Sequence, residues 1–215
     1  MPFAVREEVS AELKRLEDEG IIESIDSAPW ISNLVIARRK NGELRLCIDL
    51  KAVNKALIPD KYPLPTIQEL SASFHGSAVF SKLDMRRSYL QIPLAERSRH
   101  LTAFITHEGV FQYKRMPYGL SSAPSAFQKI VTSILSSTEG TVNLLDDVVV
   151  HGKDHAEHDK RLNVLLELFE KHNLTLNAAK CSFAASEIDF LGYRVSATGV
   201  EPTLDNVEAI RSLPV

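Results

Sequence analysis

The sequence predicts an α+β fold with an antiparallel sheet, and three observations carry that reading. Strand-like and helix-like stretches are mixed without the strict strand–helix alternation that builds a parallel sheet. Asn41-Gly42 separates two strand-like runs, and Asn-Gly in that setting is the strongest short hairpin signal. Residues Thr141 to His151 read Thr-Val-Asn-Leu-Leu-Asp-Asp-Val-Val-Val-His, two apolar, β-branched-rich runs around an adjacent acidic pair.

Taken in order, Val5, Val9, Leu13 and Leu16 recur at helical spacing from Ala4 to Glu19, and Gly20 is a stop signal. Pro29-Trp30 marks a break. Asn33 to Arg39 and Glu43 to Asp49 form the Asn-Gly hairpin. Leu57 to Pro65 is Pro-rich and reads as an irregular crossing. Thr66 to Phe74 reads as a short helix, with Thr66 capping and Glu69 at the third position. Ala78 to Asp84 is a strand that ends in an acid. Leu101 to Thr106 and Val110 to Met116 make a second hairpin around His107-Glu108-Gly109. Ser122 to Leu135 is helical, capped by Ser121 or Ser122, with Pro124 near the first turn. Asp154 to His172 is a long amphipathic helix with Leu162, Leu165, Leu166 and Phe169 inward, stopped near Asn173. Ile188 to Val195 is a strand, Gly199 a turn, and Thr203 to Ser212 a final helix.

A chain of 215 residues, 44% of them hydrophobic, suits one large domain or two closely joined subdomains. No apolar run approaches the ~20 residues of a membrane span, and the Pro2-Phe3-Ala4-Val5-Arg6 start is no signal peptide. Cys47 and Cys181 lie far apart in apolar segments, without zinc spacing, and read as reduced thiols of an intracellular protein. The net charge of −3 argues against gripping nucleic acid by bulk charge. Any such binding must come from local basic stripes or from parts of a longer polypeptide.

The chemistry centres on Asp146 and Asp147, expected at the tight turn of a hairpin, since Asp tolerates turn geometry. Ionised carboxylates at the mouth of an apolar hairpin repel one another unless a cation lies between them, and Mg²⁺ prefers hard oxygen ligands. The alternative is a plain Asp-Asp turn with no ligand. Asp84 ends another apolar strand. Three acids from two strand ends can hold two divalent ions about 3.5–4 Å apart, aligning a hydroxyl with a phosphorus.

Further motifs occur in order. They include Arg45-Leu46-Cys47-Ile48-Asp49, Val53-Asn54-Lys55 and Tyr62-Pro63-Leu64-Pro65. Ser81-Lys82-Leu83-Asp84-Met85-Arg86, Tyr89, Gln91-Ile92 and Met116-Pro117-Tyr118-Gly119-Leu120 follow. Ala123-Pro124-Ser125-Ala126-Phe127, Leu144-Leu145-Asp146-Asp147 and Phe190-Leu191-Gly192 complete the series. Together they resemble the reverse transcriptase of gypsy-type long-terminal-repeat retrotransposons across nearly the whole chain.

The resemblance implies a right-hand polymerase fold with fingers and palm subdomains and an antiparallel palm sheet. Residues 1–77 and 100–118 would be mainly fingers, and 78–99 and 119–215 palm. It implies RNA- and DNA-templated DNA synthesis on a primer from deoxynucleoside triphosphates. Asp84, Asp146 and Asp147 would be catalytic and would hold two Mg²⁺ ions, with Mn²⁺ able to substitute. Met85 and Arg86 would approach the triphosphate through their backbone, Arg45 would lie over it, and Arg39 or Lys40 would pair with its γ-phosphate. A solvated turn is the plain alternative for the last two. Tyr89 would block a ribose 2′-hydroxyl, against a plain role as a core aromatic. Tyr118 and Gly119 would line the nucleotide pocket. Leu144, Leu191, Gly192 and Tyr193 would contact the primer.

The chain departs from the family pattern at three positions: Leu144 where Tyr is usual, Arg87 where Ser is common and Ser88 where Gly is common. Neither a thumb nor a ribonuclease H segment is expected within these residues. The chain alone is expected to bind template–primer weakly, with those segments supplied by a parent polyprotein. The expected setting is intracellular and cytoplasmic, with particle association left open, and with no membrane partner. The competing class is a truncated or decayed element product that at most binds nucleic acid. A two-metal nuclease would share the acids but explains neither Tyr89 nor the Arg45 hairpin.

Overall fold

A computed structural model describes residues 3–38, 42, 44–58 and 62–212. Arg39 and Lys40 lie outside the described residues. The chain forms two compact units, Met1–Lys61 with Arg87–Phe127, and Tyr62–Arg86 with Gln128–Val215.

The first unit carries helix α1 (Arg6–Asp18), strands β1 (Ile22–Ile25), β2 (Ser32–Arg38) and β3 (Leu44–Ile48), and the short helix α2 (Lys51–Ala56). It resumes beyond Arg87 with α4 (Glu96–Arg99), β5 (Phe104–Thr106) and β6 (Gly109–Tyr113). Its sheet runs β1-β6-β5-β2-β3, antiparallel except for the parallel β2–β5 pair. Strands β2 and β3 pair antiparallel as expected, with Arg38 opposite Leu44, and Asn41 lies outside the described residues. The second hairpin forms too, but its first strand is shorter than the pattern suggested. His100–Thr102 is a single turn of 3₁₀ helix, and the Thr102 hydroxyl accepts the Tyr113 N–H at 2.9 Å. Val9, Leu13 and Leu16 of α1 are buried with Ile22, Ile48, Phe104, Phe111 and Tyr113 in one core. A fully buried side chain of this kind contributes about 1.5–3 kcal/mol.

The second unit carries α3 (Ile67–Ser73), β4 (Val79–Asp84), β7 (Thr141–Leu144), β8 (Asp147–Gly152), α6 (His155–Lys171) and β9 (Ser182–Ala185). It ends with β10 (Glu187–Phe190), β11 (Tyr193–Ser196), β12 (Gly199–Pro202) and α7 (Leu204–Arg211). Helix α5 (Ala123–Leu135) begins in the first unit and ends in this one. One sheet runs β7-β8-β4-β9 and another β10-β11-β12, all antiparallel. Thr66 and Glu69 form the expected capping box on α3, each side chain bonded to the other's backbone N–H.

Several local expectations need correction. The acidic pair does not form the hairpin turn. The turn is Leu145-Asp146, and Asp147 opens β8 opposite Leu144, a register that pairs Val142 with Val149 and Thr141 with Val150. Ile188 to Val195 is a hairpin rather than one strand, because Leu191 and Gly192 both adopt positive φ, the geometry of a tight two-residue turn. In α6 the inward residues are Leu165, Phe169 and His158, while Leu166 is exposed. Strands β1 and β9 and helix α2 were not anticipated.

His158 explains part of the β4–α6–β9 packing. The Ser81 hydroxyl accepts the Ala184 N–H at 3.0 Å and lies 2.8 Å from His158 Nε2. His158 Nδ1 faces the Asp159 carboxylate at 2.8 Å, so Nδ1 donates and Nε2 accepts from Ser81. Ser81 is fully buried, which makes this a positioning line rather than a nucleophile. Among the described residues no helix is long and apolar enough to cross a membrane. Cys47 and Cys181 are free, half-buried thiols.

Candidate active site

The acids are carried by neighbouring strand ends of the second unit. β4 pairs with β8 so that Asp84 stands opposite Asp147, and the Asp146 carbonyl accepts the Met85 N–H at 3.0 Å. Strands β4 and β8 are buried almost throughout, so apolar packing on both sides fixes the register that brings these residues together. The turn is strained, with Leu145 at φ +53°, a left-handed conformation that costs a non-glycine residue about 1–2 kcal/mol. The side chain of Gln128, on α5, supports it. Its oxygen accepts the Leu145 N–H at 2.7 Å and its nitrogen donates to the Asn143 carbonyl at 3.1 Å.

Burial pushes the Asp147 carboxyl above its ordinary value, and the Asp146 and Asp84 charges push the same way, while Lys82 opposes them. Lys82 Nζ lies 3.5 Å from Asp147 Oδ1, and Lys180 Nζ lies 3.6 Å from Asp84 Oδ2. Both separations are longer than a direct hydrogen bond. The Asp84 N–H points at Cys181 Sγ at 3.4 Å, and its carbonyl accepts the Asn177 N–H at 2.9 Å.

In chemistry the three carboxylates fit a hard divalent cation. They are oxygen donors, two are half-buried, and the repulsion felt at Asp147 is what such an ion relieves. In geometry they are less complete. Among the described residues no group of three His, Cys, Asp or Glu side chains is arranged around a single metal position. Lys82 and Lys180 instead engage Asp147 and Asp84 separately.

Met85 and Arg86 follow Asp84, but their backbone N–H groups are committed, Met85 to Asp146 and Arg86 to the Thr175 carbonyl at 2.9 Å. Neither N–H is left for an outside acceptor.

The first unit holds the residues expected around a nucleotide. The Arg45 guanidinium lies over the Tyr118 ring, 5.0 Å from its centroid, a cation–π contact. Both line a cleft of about 360 Å³ with Arg15, Arg87, Cys47 and Tyr113. Tyr89 is half-buried, its ring 5.3 Å from those of Tyr118 and Phe127. Gly119 needs its identity for conformation, at φ +96°, and its carbonyl accepts from Asn54 Nδ2 at 2.8 Å. Asn54 Oδ1 also accepts the Ser121 N–H at 2.9 Å, so one side chain holds both ends of the Gly119 loop. Arg87 forms an ion pair with Glu19 while lining the same cleft.

The residues expected at a primer lie in the second unit. Leu144 and Leu191 both pack against the cluster of Phe74, Phe80, Val149, Ile188 and Phe190. Gly192 has φ +78°, and a Cβ there would fall 2.2 Å from Asn206 Nδ2. Its carbonyl accepts from the Thr203 N–H and from Asn206 Nδ2, both at 3.0 Å, so the β10–β11 turn is tied to the start of α7. Tyr193 opens β11 opposite Phe190.

Residues 37–195 match the family described as reverse transcriptase (RNA-dependent DNA polymerase). The chain belongs to the reverse transcriptase family. Among its relatives, an uncharacterized protein, K02A2.6, of Caenorhabditis elegans is 36% identical over 99% of this chain and 17% of that protein. The Transposon Tf2-3 polyprotein of Schizosaccharomyces pombe is 35% identical over 96% of this chain and 15% of the polyprotein. The chain thus spans about a sixth of the length of these relatives. Among solved structures, the foamy viral protease–reverse transcriptase with double-stranded DNA superimposes with a TM-score of 0.88 at 18% identity. That match covers 100% of this chain and 38% of the other. The same viral protein with an RNA/DNA hybrid gives 0.86 at 18% identity, covering 100% and 29%. These likenesses bear out the polymerase fold.

Within this reverse transcriptase chain, four supporting residues escaped the sequence reading of the site. Lys82 is legible in retrospect as a charge inside an otherwise apolar strand, and Gln128 as a polar residue on the apolar side of α5. Asn54 sat inside a recognised motif without a role. Lys180 carried no local signal.

Proposed function

We propose that this chain is the polymerase region of a longer retrotransposon polyprotein, and that it adds deoxynucleotides to a primer on an RNA or DNA template. The observation that carries the proposal is the pairing of Asp84 with Asp147 beside the Asp146 turn. The names of the transposon relatives and of the nucleic-acid-bound viral structures support it.

Asp84, Asp146 and Asp147 would hold two Mg²⁺ ions, which Mn²⁺ can replace. When bound, such ions supply charge neutralisation for the attacking hydroxyl and the departing pyrophosphate. The chain's own groups do the rest. Arg45, steadied on Tyr118, offers a planar fork to triphosphate oxygens. Arg39 and Lys40 would add charge at the γ-phosphate. Tyr118, with the Gly119 loop held by Asn54, shapes the base and sugar site, and Tyr89 sits where a ribose hydroxyl would intrude. Met85 acts through its bond to Asp146, holding the turn to β4 rather than touching phosphate, and the Arg86 N–H is likewise committed, to the Thr175 carbonyl. Leu144 and the Leu191-Gly192-Tyr193 turn support the primer end. Residues 1–77 and 100–118 would be mainly fingers, and 78–99 and 119–215 palm. Thumb and ribonuclease H segments would come from the parent polyprotein, acting in the cytoplasm.

The test is template-primed incorporation of labelled deoxynucleotide by the full polypeptide, with RNA and DNA templates in parallel. Extension on both supports the proposal. Nucleic-acid binding without extension supports the decayed-element reading, and cleavage without extension the nuclease.

A further inference from the structure

We propose that Gln128 is a positioning residue for the reaction, clamping the Leu145-Asp146 turn in the conformation that presents the Asp146 carboxylate. This rests on the polymerase reading of the acids.

The argument begins with a conflict. A two-residue hairpin turn with a positive φ at its first position favours glycine, and here that position is Leu145 at φ +53°. Leu145 is one residue from Asp146, so relaxing its backbone would re-aim the neighbouring carboxylate. Something must hold the turn, and β7–β8 pairing stops at Leu144 and Asp147.

Gln128 meets that need. It is 2% exposed, so its amide lies away from bulk water. Its three polar contacts all serve the hairpin or its support: Oε1 accepts the Leu145 N–H at 2.7 Å, and Nε2 donates to the Asn143 carbonyl at 3.1 Å and to Thr132 Oγ1 at 3.2 Å. Thr132 in turn donates to Asn143 Oδ1 at 3.3 Å. One buried amide thus grips the backbone on both sides of Leu144. Met85 holds the other half of the turn through the Asp146 carbonyl. Breaking the Leu145 contact would leave a half-buried donor unpaired as well as free the strained residue.

The test is a double-mutant cycle in the full polypeptide. Gln128→Met keeps the side-chain volume and removes the clamp. It is expected to lower kcat about ten- to a hundredfold, the scale of a misplaced catalytic group, while KM for deoxynucleotide moves about threefold or less. The Leu145 amide is expected to lose its hydrogen-exchange protection. Leu145→Gly removes the steric reason for a clamp, because glycine adopts positive φ freely. In a Leu145→Gly background, Gln128→Met is therefore expected to cost about threefold or less in kcat. A role confined to core stability would give the same loss in both backgrounds, tracking melting temperature, and that result overturns the inference. So does a Leu145 amide that exchanges freely in the unaltered protein. An unaltered protein that does not polymerise, yet keeps the Leu145 amide protected, overturns the polymerase reading and leaves the clamp itself standing.

Discussion

Asp84 lies directly opposite Asp147 in the β4–β8 register. Opposed residues on one sheet face have Cβ atoms about 4.5–5.5 Å apart, and like charges there are destabilising. Asp147→Asn is therefore expected to stabilise the protein by about 0.2–1 kcal/mol while removing nucleotide incorporation. Denaturant unfolding alongside an extension assay reads both. Loss of stability together with activity would make Asp147 a structural residue.

Arg45 has a steadying partner in Tyr118, and no carboxylate among the described residues pairs with it. Arg45→Ala is expected to weaken deoxynucleoside triphosphate binding by about 1.5–3 kcal/mol, roughly ten- to a hundredfold, the worth of a charge-assisted contact. Binding of template–primer should change far less. Equal losses in both affinities would contradict the assignment.

Tyr89 touches Tyr118 and Phe127 but stays half-buried, so its two roles separate. Tyr89→Val should cost about 0.5–1.5 kcal/mol per lost aromatic pair. It should also raise the ratio of ribonucleotide to deoxynucleotide incorporation about ten- to a hundredfold. An unchanged ratio with a large drop in melting temperature would leave Tyr89 a packing residue only.

His151 is buried against Phe74, with Nδ1 2.7 Å from the Ser77 hydroxyl. Burial lowers its pKa from 6.5 to about 4, with the Arg161 charge adding to the shift and Glu157 opposing it. Between those values the unfolded chain binds the proton and the folded chain does not, so stability is lost as pH falls through that window. The loss approaches about 3.5 kcal/mol, at roughly 1.4 kcal/mol per unit. His151→Gln should flatten this part of the unfolding free energy between pH 7 and 4. An unaltered slope would mean that other groups carry it.

What could be read from the sequence was what neighbours in the chain decide. The Thr66–Glu69 capping box is local, and so is the antiparallel pairing of β2 with β3. The Asp84–Asp147 pairing was reachable because both acids end apolar strands. The one-residue shift of the acidic turn was not, because a strained Leu145 needs Gln128, 17 residues away in sequence, to hold it. Strand β9 was missed because its partner is β4, with a register shift between Phe80 and Lys82 where Ser81 bonds Ala184. The spacing of Leu166 fits the apolar face, yet the helix turns Leu165 and Phe169 into the core and leaves Leu166 exposed.

The most direct measurement of the central claim is primer extension by the full polypeptide with and without Asp146→Asn, alongside melting temperature. Removing one carboxylate from a two-ion site withdraws several kcal/mol of stabilisation from the reaction, on the order of a thousandfold or more in rate. The expected result is loss of extension on that scale with a melting temperature equal to or above that of the unaltered protein. Extension retained by Asp146→Asn, or lost only together with the fold, would contradict the assignment of these carboxylates to the polymerase reaction.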